Sequence, residues 1–385
     1  MNINKTLELI KRHSVDFVGQ AELKKKLEKG TKLKVKLGVD PTSADLHLGH
    51  SVVLNMLKMF QDLGHTAVLI IGDFTASVGD PSGRDKTRPV LTPKEIKKNA
   101  ETYKKQAFKI LDKKKTKIEY NSKWLKPFAQ EEMLNTLSNL TLSQMIERDD
   151  FKKRMKSGTP ISMLEILYSL FQAQDSVAVK ADIELGGTDQ IFNLLMGRAV
   201  QKQNGQDSQI VITVPLLVGT DGVKKMSKTY DNFIAVNDSA KDIFGKIMSI
   251  SDDIMLDYYK ILTIENLEEI KKLHPMKAKK HLAMLIVERF HGTEEAEEEL
   301  ANFEKVFSKK QNPDDIKSFK ANSEVLTSQI IFEAGMAKSK NEARRLILQN
   351  AVKLNEQKLT KDEILNFKNG DILQVGRRNF VKLVK

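Results

Sequence analysis

The sequence predicts an α/β protein: a parallel-sheet domain with a helical insertion, followed by an α-helical domain and then a small α+β domain. Three observations carry that prediction. An alternating run at Leu33, Val35, Leu37 and Val39 leads into a helical stripe at Val52, Val53, Leu54, Met56, Leu57 and Phe60, and then into "AVLII" from Ala67. A strand, a helix and a second strand in that order make a β-α-β unit, whose strands run parallel. Strand signals stop after about Tyr230, and 240–320 reads as helices. The tail changes texture once more, with a sharp helix start near Ser339 and short alternating runs behind it.

In chain order, the opening "MNINKTLELIKRHSVDF" mixes charge with apolar residues at helical spacing and holds no apolar core, so no secretory signal is expected. The helix after the first strand should stop at Gly64. Further strands are expected at Lys117 to Glu119, Ala181 to Leu185 and Gln209 to Val218, the last reaching an edge because Pro215 cannot donate to a ladder. Between Thr92 and Gln174 the reading is mostly helical, too long for one crossover, and therefore an insertion of the kind that makes a dimer interface. Thr159 before Pro160 marks a helix start, and "EEAEEE" reads as a solvated helix face. In the tail, Ser339 and Glu342 form a capping box, Ala343, Leu346 and Ile347 make a buried stripe, and Arg344 and Arg345 point away from it. A strand over 351–355 and a hairpin in "GDILQVGRRNFVKL" complete it.

Composition narrows the function. A chain of 385 residues with 40% apolar content buries substantial cores. It has no cysteine, which excludes disulfides, thiolate metal sites and cysteine nucleophiles. No apolar run approaches the ~20 residues of a membrane span, so a soluble, cytoplasmic chain is expected. The 63 basic and 51 acidic residues leave a charge of +12, which favours a polyanionic partner such as nucleic acid over an acidic small molecule alone, with a lysine-coated surface that holds no ligand as an equal alternative. Between Glu324 and Lys385, 12 Lys and Arg stand against 7 Asp and Glu, so the bias is concentrated in the tail.

The chemistry sits in five stretches. "VDPTSADLHLGH", Val39 to His50, lies where a strand runs into a helix start, and free N–H groups with the helix dipole attract anions there. His47 and His50 share one side of the first turn and can donate to phosphate oxygens, while Gly49 lets a flat base or phosphate approach. The pair also fits plain polar helix-start residues or half of a metal site, although no partner stands at ligand spacing. In "DGVKKMSKTY", Lys225 and Lys228 flank Met226 and Ser227 on what reads as a mobile loop able to fold two ammonium groups onto a triphosphate; solvated lysine loops look the same. In "YSLFQAQDSV", Tyr168, Gln172 and Asp175 share one helix face, as the lining of a pocket or as an exposed polar stripe. "ELGGTDQ" places Gly186, Gly187 and Asp189 where a carboxylate accepts from ribose, or in a plain turn. In "GDPSGRDKTR", Asp80 opens a turn and Arg84, Lys86 and Arg88 form a basic segment.

"HLGH" with "KMSK" downstream resembles the signature pair of class I aminoacyl-tRNA synthetases, and nearly the whole chain is similar to the bacterial tyrosyl-tRNA synthetase family. The resemblance implies a Rossmann-like catalytic domain over 1–230, with the insertion at about 92–175 contributing to a dimer interface. It implies a helical anticodon-arm-binding domain over 231–320 and an S4 RNA-binding domain over 321–385. Thr42, His47, His50, Lys225, Lys228 and Thr229 would then supply donors and cations to the phosphates, with Arg84 and Arg88 on a loop that meets pyrophosphate. Asp40, Gly49, Gly187, Asp189, Met226 and Ser227 would hold ATP.

The resemblance also implies that Asp80, Tyr168 and Gln172 hold the α-ammonium of tyrosine, that Asp175 accepts from its phenol, and that Gln190 lies beside the amino acid. Lys338, Lys340, Arg344, Arg345, Arg377 and Arg378 would meet tRNA. Many members carry a second tyrosine on the strand before the first motif to share the phenol; this chain has Lys36 and Leu37 there, which leaves discrimination to Asp175. The implied activity joins L-tyrosine to tRNA(Tyr) through an adenylate made from ATP, by a cytoplasmic homodimer. Magnesium would come with ATP and no dedicated protein metal site. The alternatives are a tryptophanyl-type synthetase and a non-charging RNA-binding protein of synthetase descent.

Overall fold

A computed structural model of the chain describes residues 3–43, 45–82, 91–307, 316–322, 324–376 and 379–385. It divides into two compact units, Met1–Glu297 and Glu298–Lys385. The first is built on six strands, β1 (Phe17–Val18), β2 (Lys34–Val39), β3 (Thr66–Ile71), β4 (Thr116–Tyr120), β5 (Ile183–Gly187) and β6 (Ile210–Val214), in the spatial order β1-β6-β5-β2-β3-β4. All neighbours are parallel except β1 against β6. From β2 the chain builds outward through β3 to β4, then returns to the other side of β2 for β5 and β6. That reversal opens a crevice at the carboxyl ends of β2 and β5, where sheets of this kind take ligands.

The first crossover helix, Leu48–Asp62, buries Leu48, Val52, Leu54, Met56, Leu57 and Phe60. It ends where the sequence predicts. Gly64 has φ 92°, and that left-handed turn lets the His65 N–H reach the Phe60 carbonyl at 3.0 Å. β6 stops at Val214, short of the expected Val218, because Pro215 follows it at once. Lys36 departs from the alternating reading of β2. A lysine between two apolar residues reads as solvent-facing, yet Lys36 is wholly buried, since helices cover both faces of a parallel sheet.

The helix that carries Tyr168, Gln172 and Asp175 runs Met163–Val179 and starts later than Thr159. Ser162 caps it, its Oγ accepting the Leu164 N–H, while Glu165 reaches back to the Ser162 N–H at 2.9 Å. Arg154 holds the chain short of the helix by donating to the Pro160 carbonyl and, bidentately, to Glu165. The helices Ala240–Ser249, Asp252–Leu262, Leu267–Lys272 and Pro275–His291 close the first unit around Phe244, Tyr258, Tyr259 and Ile286.

The second unit sets helices Thr327–Glu333 and Lys340–Leu348 on a five-stranded sheet. Its strands are β7 (Ser318–Lys320), β8 (Val352–Leu354), β9 (Gln357–Lys358), β10 (Ile372–Val375) and β11 (Asn379–Val384), in the order β7-β11-β10-β8-β9. β7 corrects the helical reading of 240–320: Ser318–Lys320 pairs in parallel with β11 and belongs to this sheet. Ile330, Ile331, Ala343, Ile347, Phe367 and Leu383 fill the core between layers. Asn355 and Glu356, at φ 47° and 70°, make the tight turn between β8 and β9. The Ser339 Oγ accepts the Glu342 N–H at 3.1 Å, but Glu342 returns to the Lys338 N–H at 2.7 Å, one residue before the expected box position. Among the described residues, no helix is long and apolar enough to cross a membrane.

Candidate active site

At the carboxyl ends of β2, β5 and β6 lies a cavity of about 450 Å³. Thr42, His47, Gly49 and His50 line it from the first crossover, Gly187, Asp189 and Gln190 from the end of β5, and Lys225, Met226, Ser227, Lys228 and Thr229 from the lysine loop. The lysine loop lies roughly 175 positions after the histidines, and folding makes them opposite parts of one wall. Ser43, Tyr103 and Leu217 also line it. No motif marks them in the sequence, because a lone serine, tyrosine or leucine has no spacing signal.

The histidine loop is held from outside the sheet. His47 pairs with Ala235 in an isolated bridge, flanked by the Leu48 N–H on the Ile234 carbonyl at 3.0 Å and the Val236 N–H on the Leu46 carbonyl at 2.9 Å. The two imidazoles lie 3.9 Å apart, and the His47 N–H donates to His50 Nδ1 at 3.2 Å. A Cβ at Gly49 would stand 2.9 Å from the His47 ring, so the glycine makes room first for the protein's own histidine. Burial, helped by His50 and the Lys228 and Lys225 ammoniums, pushes His47 down to about 2. Burial and Lys228 push His50 down to about 4. Both rings are therefore neutral at pH 7. Since His50 Nδ1 accepts a backbone N–H, its proton is on Nε2, which makes that nitrogen a donor. His47 Nδ1 is buried with no hydrogen-bond partner among the described residues.

The lysine loop is pinned rather than free. Buried Asn232 accepts the Ser227 N–H at 2.8 Å and donates to Asp221 and to the Lys224 and Lys225 carbonyls. Gly219 packs so closely that a Cβ there would come within 2.2 Å of the Asn232 side chain. This firm base presents two ammonium groups. Lys225 Nζ is 3.3 Å from Asp189, and Lys228 Nζ is 2.7 Å from Asp45. Burial pushes the Asp189 carboxyl up against the pull of Lys225.

The residues expected around an amino acid form a second, hydrogen-bonded group. Tyr168 Oη donates to Asp40 at 2.9 Å, and Thr75 Oγ1 donates to the other Asp40 oxygen at 2.7 Å. Gln190 Nε2 donates to Asp80 at 2.8 Å. Asp175 accepts from Trp124 Nε1 at 2.8 Å and from Asn121 Nδ2 at 3.3 Å. Burial pushes its carboxyl up to about 7, against the opposing pull of Lys36 and of both donors. Gln172 donates from its amide nitrogen to Glu184 at 3.1 Å, so its carbonyl oxygen is the atom suited to accept from an ammonium.

Lys36 supplies no bond to Asp175. Its Nζ donates to Glu184 at 2.8 Å, Ser176 Oγ at 2.8 Å and the Gln172 carbonyl at 3.0 Å. Asn121 and Trp124, which hold Asp175, come from the segment between the third and fifth strands and escape sequence reasoning entirely. Arg84, Lys86, Arg88, Arg377 and Arg378 lie outside the described residues. Lys338, Lys340, Arg344 and Arg345 are exposed on the second unit, where Arg344 Nε is 3.0 Å from Asp362.

Comparison with known proteins agrees with this geometry in extent and order. Residues 28–308 match the family of class I tRNA synthetases (W and Y), and residues 328–368 match the S4 domain. A protein of Francisella tularensis named tyrosine–tRNA ligase is 50% identical over 392 residues, covering 100% of this chain and 99% of its own. One of Aquifex aeolicus with the same name is 47% identical over 390 residues, covering 100% of each. Among solved structures, a C-terminally truncated mitochondrial tyrosyl-tRNA synthetase of Coccidioides posadasii is similar with a TM-score of 0.62 at 25% identity, over 78% of this chain and 91% of that one. A tyrosyl-tRNA synthetase of Archaeoglobus fulgidus, complexed with L-tyrosine, shares the fold with a TM-score of 0.63 at 24% identity, over 78% of this chain and 100% of that one. A sheet reversed at β2 and β5, two histidines facing two lysines, and a family match over the same residues lead to one statement: the chain belongs to the class I tRNA synthetases, in the family that comprises the tryptophan and tyrosine enzymes.

Proposed function

We propose that this chain activates L-tyrosine with ATP and transfers it to the 3′-terminal ribose of tRNA(Tyr). The observation that carries the reading is the shared cavity of His47, His50, Lys225 and Lys228, together with a buried carboxyl at Asp175 suited to accept from a phenol. The tyrosine carboxylate attacks the ATP α-phosphate, the bond to the β-phosphate oxygen breaks, and pyrophosphate leaves. A ribose hydroxyl of the tRNA then attacks the carbonyl of the tyrosyl-adenylate and releases AMP.

No side chain acts as a nucleophile. Negative charge grows on the leaving pyrophosphate, so the need is for donors and cations already in place, each worth a few kcal/mol in a site that excludes water. Neutral His50 donates from Nε2, Thr42 and Thr229 add hydroxyl donors, and Lys225 and Lys228 exchange their carboxylate partners for phosphate oxygens. Arg84 and Arg88 join them on pyrophosphate. Asp189 accepts from the ribose, and Asp40, Gly49, Met226 and Ser227 complete the nucleotide's surroundings. Magnesium enters with ATP as part of the substrate.

Asp80, Tyr168 and Gln172 are assigned to the α-ammonium, and Asp175 to the phenol. A phenylalanine in this place leaves the buried carboxyl with Trp124 and Asn121 alone and one donor short, which is costly. Lys338, Lys340, Arg344, Arg345, Arg377 and Arg378 are assigned to tRNA phosphates, and the enzyme works in the cytoplasm. The 92–175 segment pairs two copies: Leu134, Leu142, Met155, Met163 and Leu164 are exposed there, with Leu134 at 81%.

The test is ATP–pyrophosphate exchange. It is expected to depend on tyrosine and not on tryptophan, and to fall by about 10²-fold or more in His47→Ala. Exchange driven by tryptophan, or an unchanged rate in His47→Ala, overturns the reading.

A further inference from the structure

We propose that Arg148 is a positioning residue for the amino-acid side of the site: through Asn193 it decides which way round the Gln190 amide faces. Arg148 stands just before the helix Asp149–Lys156, in a segment that no motif connects to the cavity. Its side chain is only 4% exposed, with the guanidinium 4.8 Å from the centre of the Phe151 ring and 5.7 Å from that of Phe192. Asp150 takes Nε at 3.0 Å and Nη2 at 2.8 Å. The guanidinium has two further bonds. Nη1 donates to Asn193 Oδ1 at 3.0 Å and Nη2 donates to Ser82 Oγ at 3.0 Å.

From there the bonds run in one direction. Fully buried Asn193 donates through Nδ2 to Gln190 Oε1 at 2.9 Å, and Gln190 donates through Nε2 to Asp80 Oδ2 at 2.8 Å. Ser82 closes the ring, its N–H on Asp80 Oδ1 at 2.9 Å and its Oγ accepting from Asn193 at 3.3 Å. A guanidinium can only donate and a carboxylate can only accept, whereas each amide between them has one face of each kind. The two ends therefore set the sense of both amides. Turning Asn193 over would bring N–H against N–H at Arg148, and turning Gln190 over would bring oxygen against oxygen at Asp80. The first fault would be buried and the second half-buried, where an unmatched polar group is costly.

The consequence falls on the cavity. Gln190 lines it, and its Nε2 has two hydrogens, of which Asp80 takes one. With the amide locked, the second is a donor of fixed direction, suited to an anionic oxygen such as an amino-acid carboxylate. The inference rests on the reading of Asp80 and Gln190 as amino-acid ligands.

Asn193→Asp separates this role from a structural one. The new carboxylate still accepts from Arg148 and adds an ion pair with it that offsets the mismatch at Gln190, so the variant should fold, but it cannot donate to Gln190. The tyrosine KM in ATP–pyrophosphate exchange should rise about tenfold, with the ATP KM within about twofold. A second pair keeps the test sound if Asn193→Asp does not fold. Arg148→Lys and Arg148→Gln both lose the planar fork, but only lysine remains a pure donor. Lysine should keep the tyrosine KM within about threefold and glutamine should raise it about tenfold. An unchanged tyrosine KM in a folded Asn193→Asp, or equal values for the two Arg148 variants, overturns the proposal. Asp80→Asn is the control: if it also leaves the tyrosine KM unchanged, the ligand reading itself fails, whereas a large rise there beside unchanged Asn193→Asp sinks the relay alone.

Discussion

Asp175 binds two donors and lies among residues that exclude water, and its carboxyl is pushed up to about 7 by burial. As pH rises through that value the group becomes a charged acceptor. A phenol satisfies it and a phenyl ring does not. The ratio of kcat/KM for tyrosine to that for phenylalanine should therefore widen between pH 6 and pH 8, and in Asp175→Asn it should stay flat. The same raised value stabilises the fold fully below the ordinary carboxylate range, and that contribution is lost as pH climbs through about 7. His50 works in the opposite sense. Its value is lowered from 6.5 to about 4, so its contribution is complete above 6.5 and lost as pH falls through about 4. Melting temperature should accordingly drop less steeply over that window in His50→Gln than in the parent. Neither histidine titrates near neutrality, so the exchange rate should show no inflection between pH 6 and 8 that His50→Gln removes.

Lys36 and Glu184 join β2 to β5 at the centre of the sheet, with the two side chains 0% and 1% exposed. Removing one charge leaves the other buried and unpaired, so Lys36→Met should cost about 3–5 kcal/mol in urea unfolding. Adding Glu184→Gln should return most of it, because glutamine still accepts from Ser176 and Gln209 without a charge to bury. The helix that follows has its own local device in the Ser162 cap, and Ser162→Ala should cost about 1 kcal/mol. A pair between strands and a cap within one helix differ in how far they can be read ahead. Ser162 and Glu165 stand three residues apart, and the pattern is visible in the chain, although Thr159–Pro160 competes for the same role. Lys36 and Glu184 are 148 positions apart, and nothing in the spacing of β2 separates a buried lysine from the exposed Lys34 beside it.

At the scale of the molecule, tRNA phosphate binding and amino-acid activation are assigned to different units. Arg344→Ala and Arg345→Ala should raise the KM for tRNA and each reduce the salt slope of tRNA binding by about 1, while tyrosine-dependent exchange is unchanged. Loss of exchange in either variant would contradict the assignment of these arginines to RNA alone.

The residues by themselves determine the β-α-β start, the glycine stop at Gly64, the helix beginning at Ser339, and the two motif pairs, because each depends on neighbours within a few positions. They also show that the charge excess is concentrated in the tail. Only the tertiary structure decides that His47 and Lys228 share a cavity, that Lys36 turns to Glu184 and leaves Asp175 to Trp124 and Asn121, and that Ser318–Lys320 is a strand of the second unit. It alone shows the run of bonds from Arg148 to Asp80. The physical reason is the same in each case. Hydrophobic periodicity records which face is buried, but a buried polar group is defined by its partner, and these partners come from remote parts of the chain.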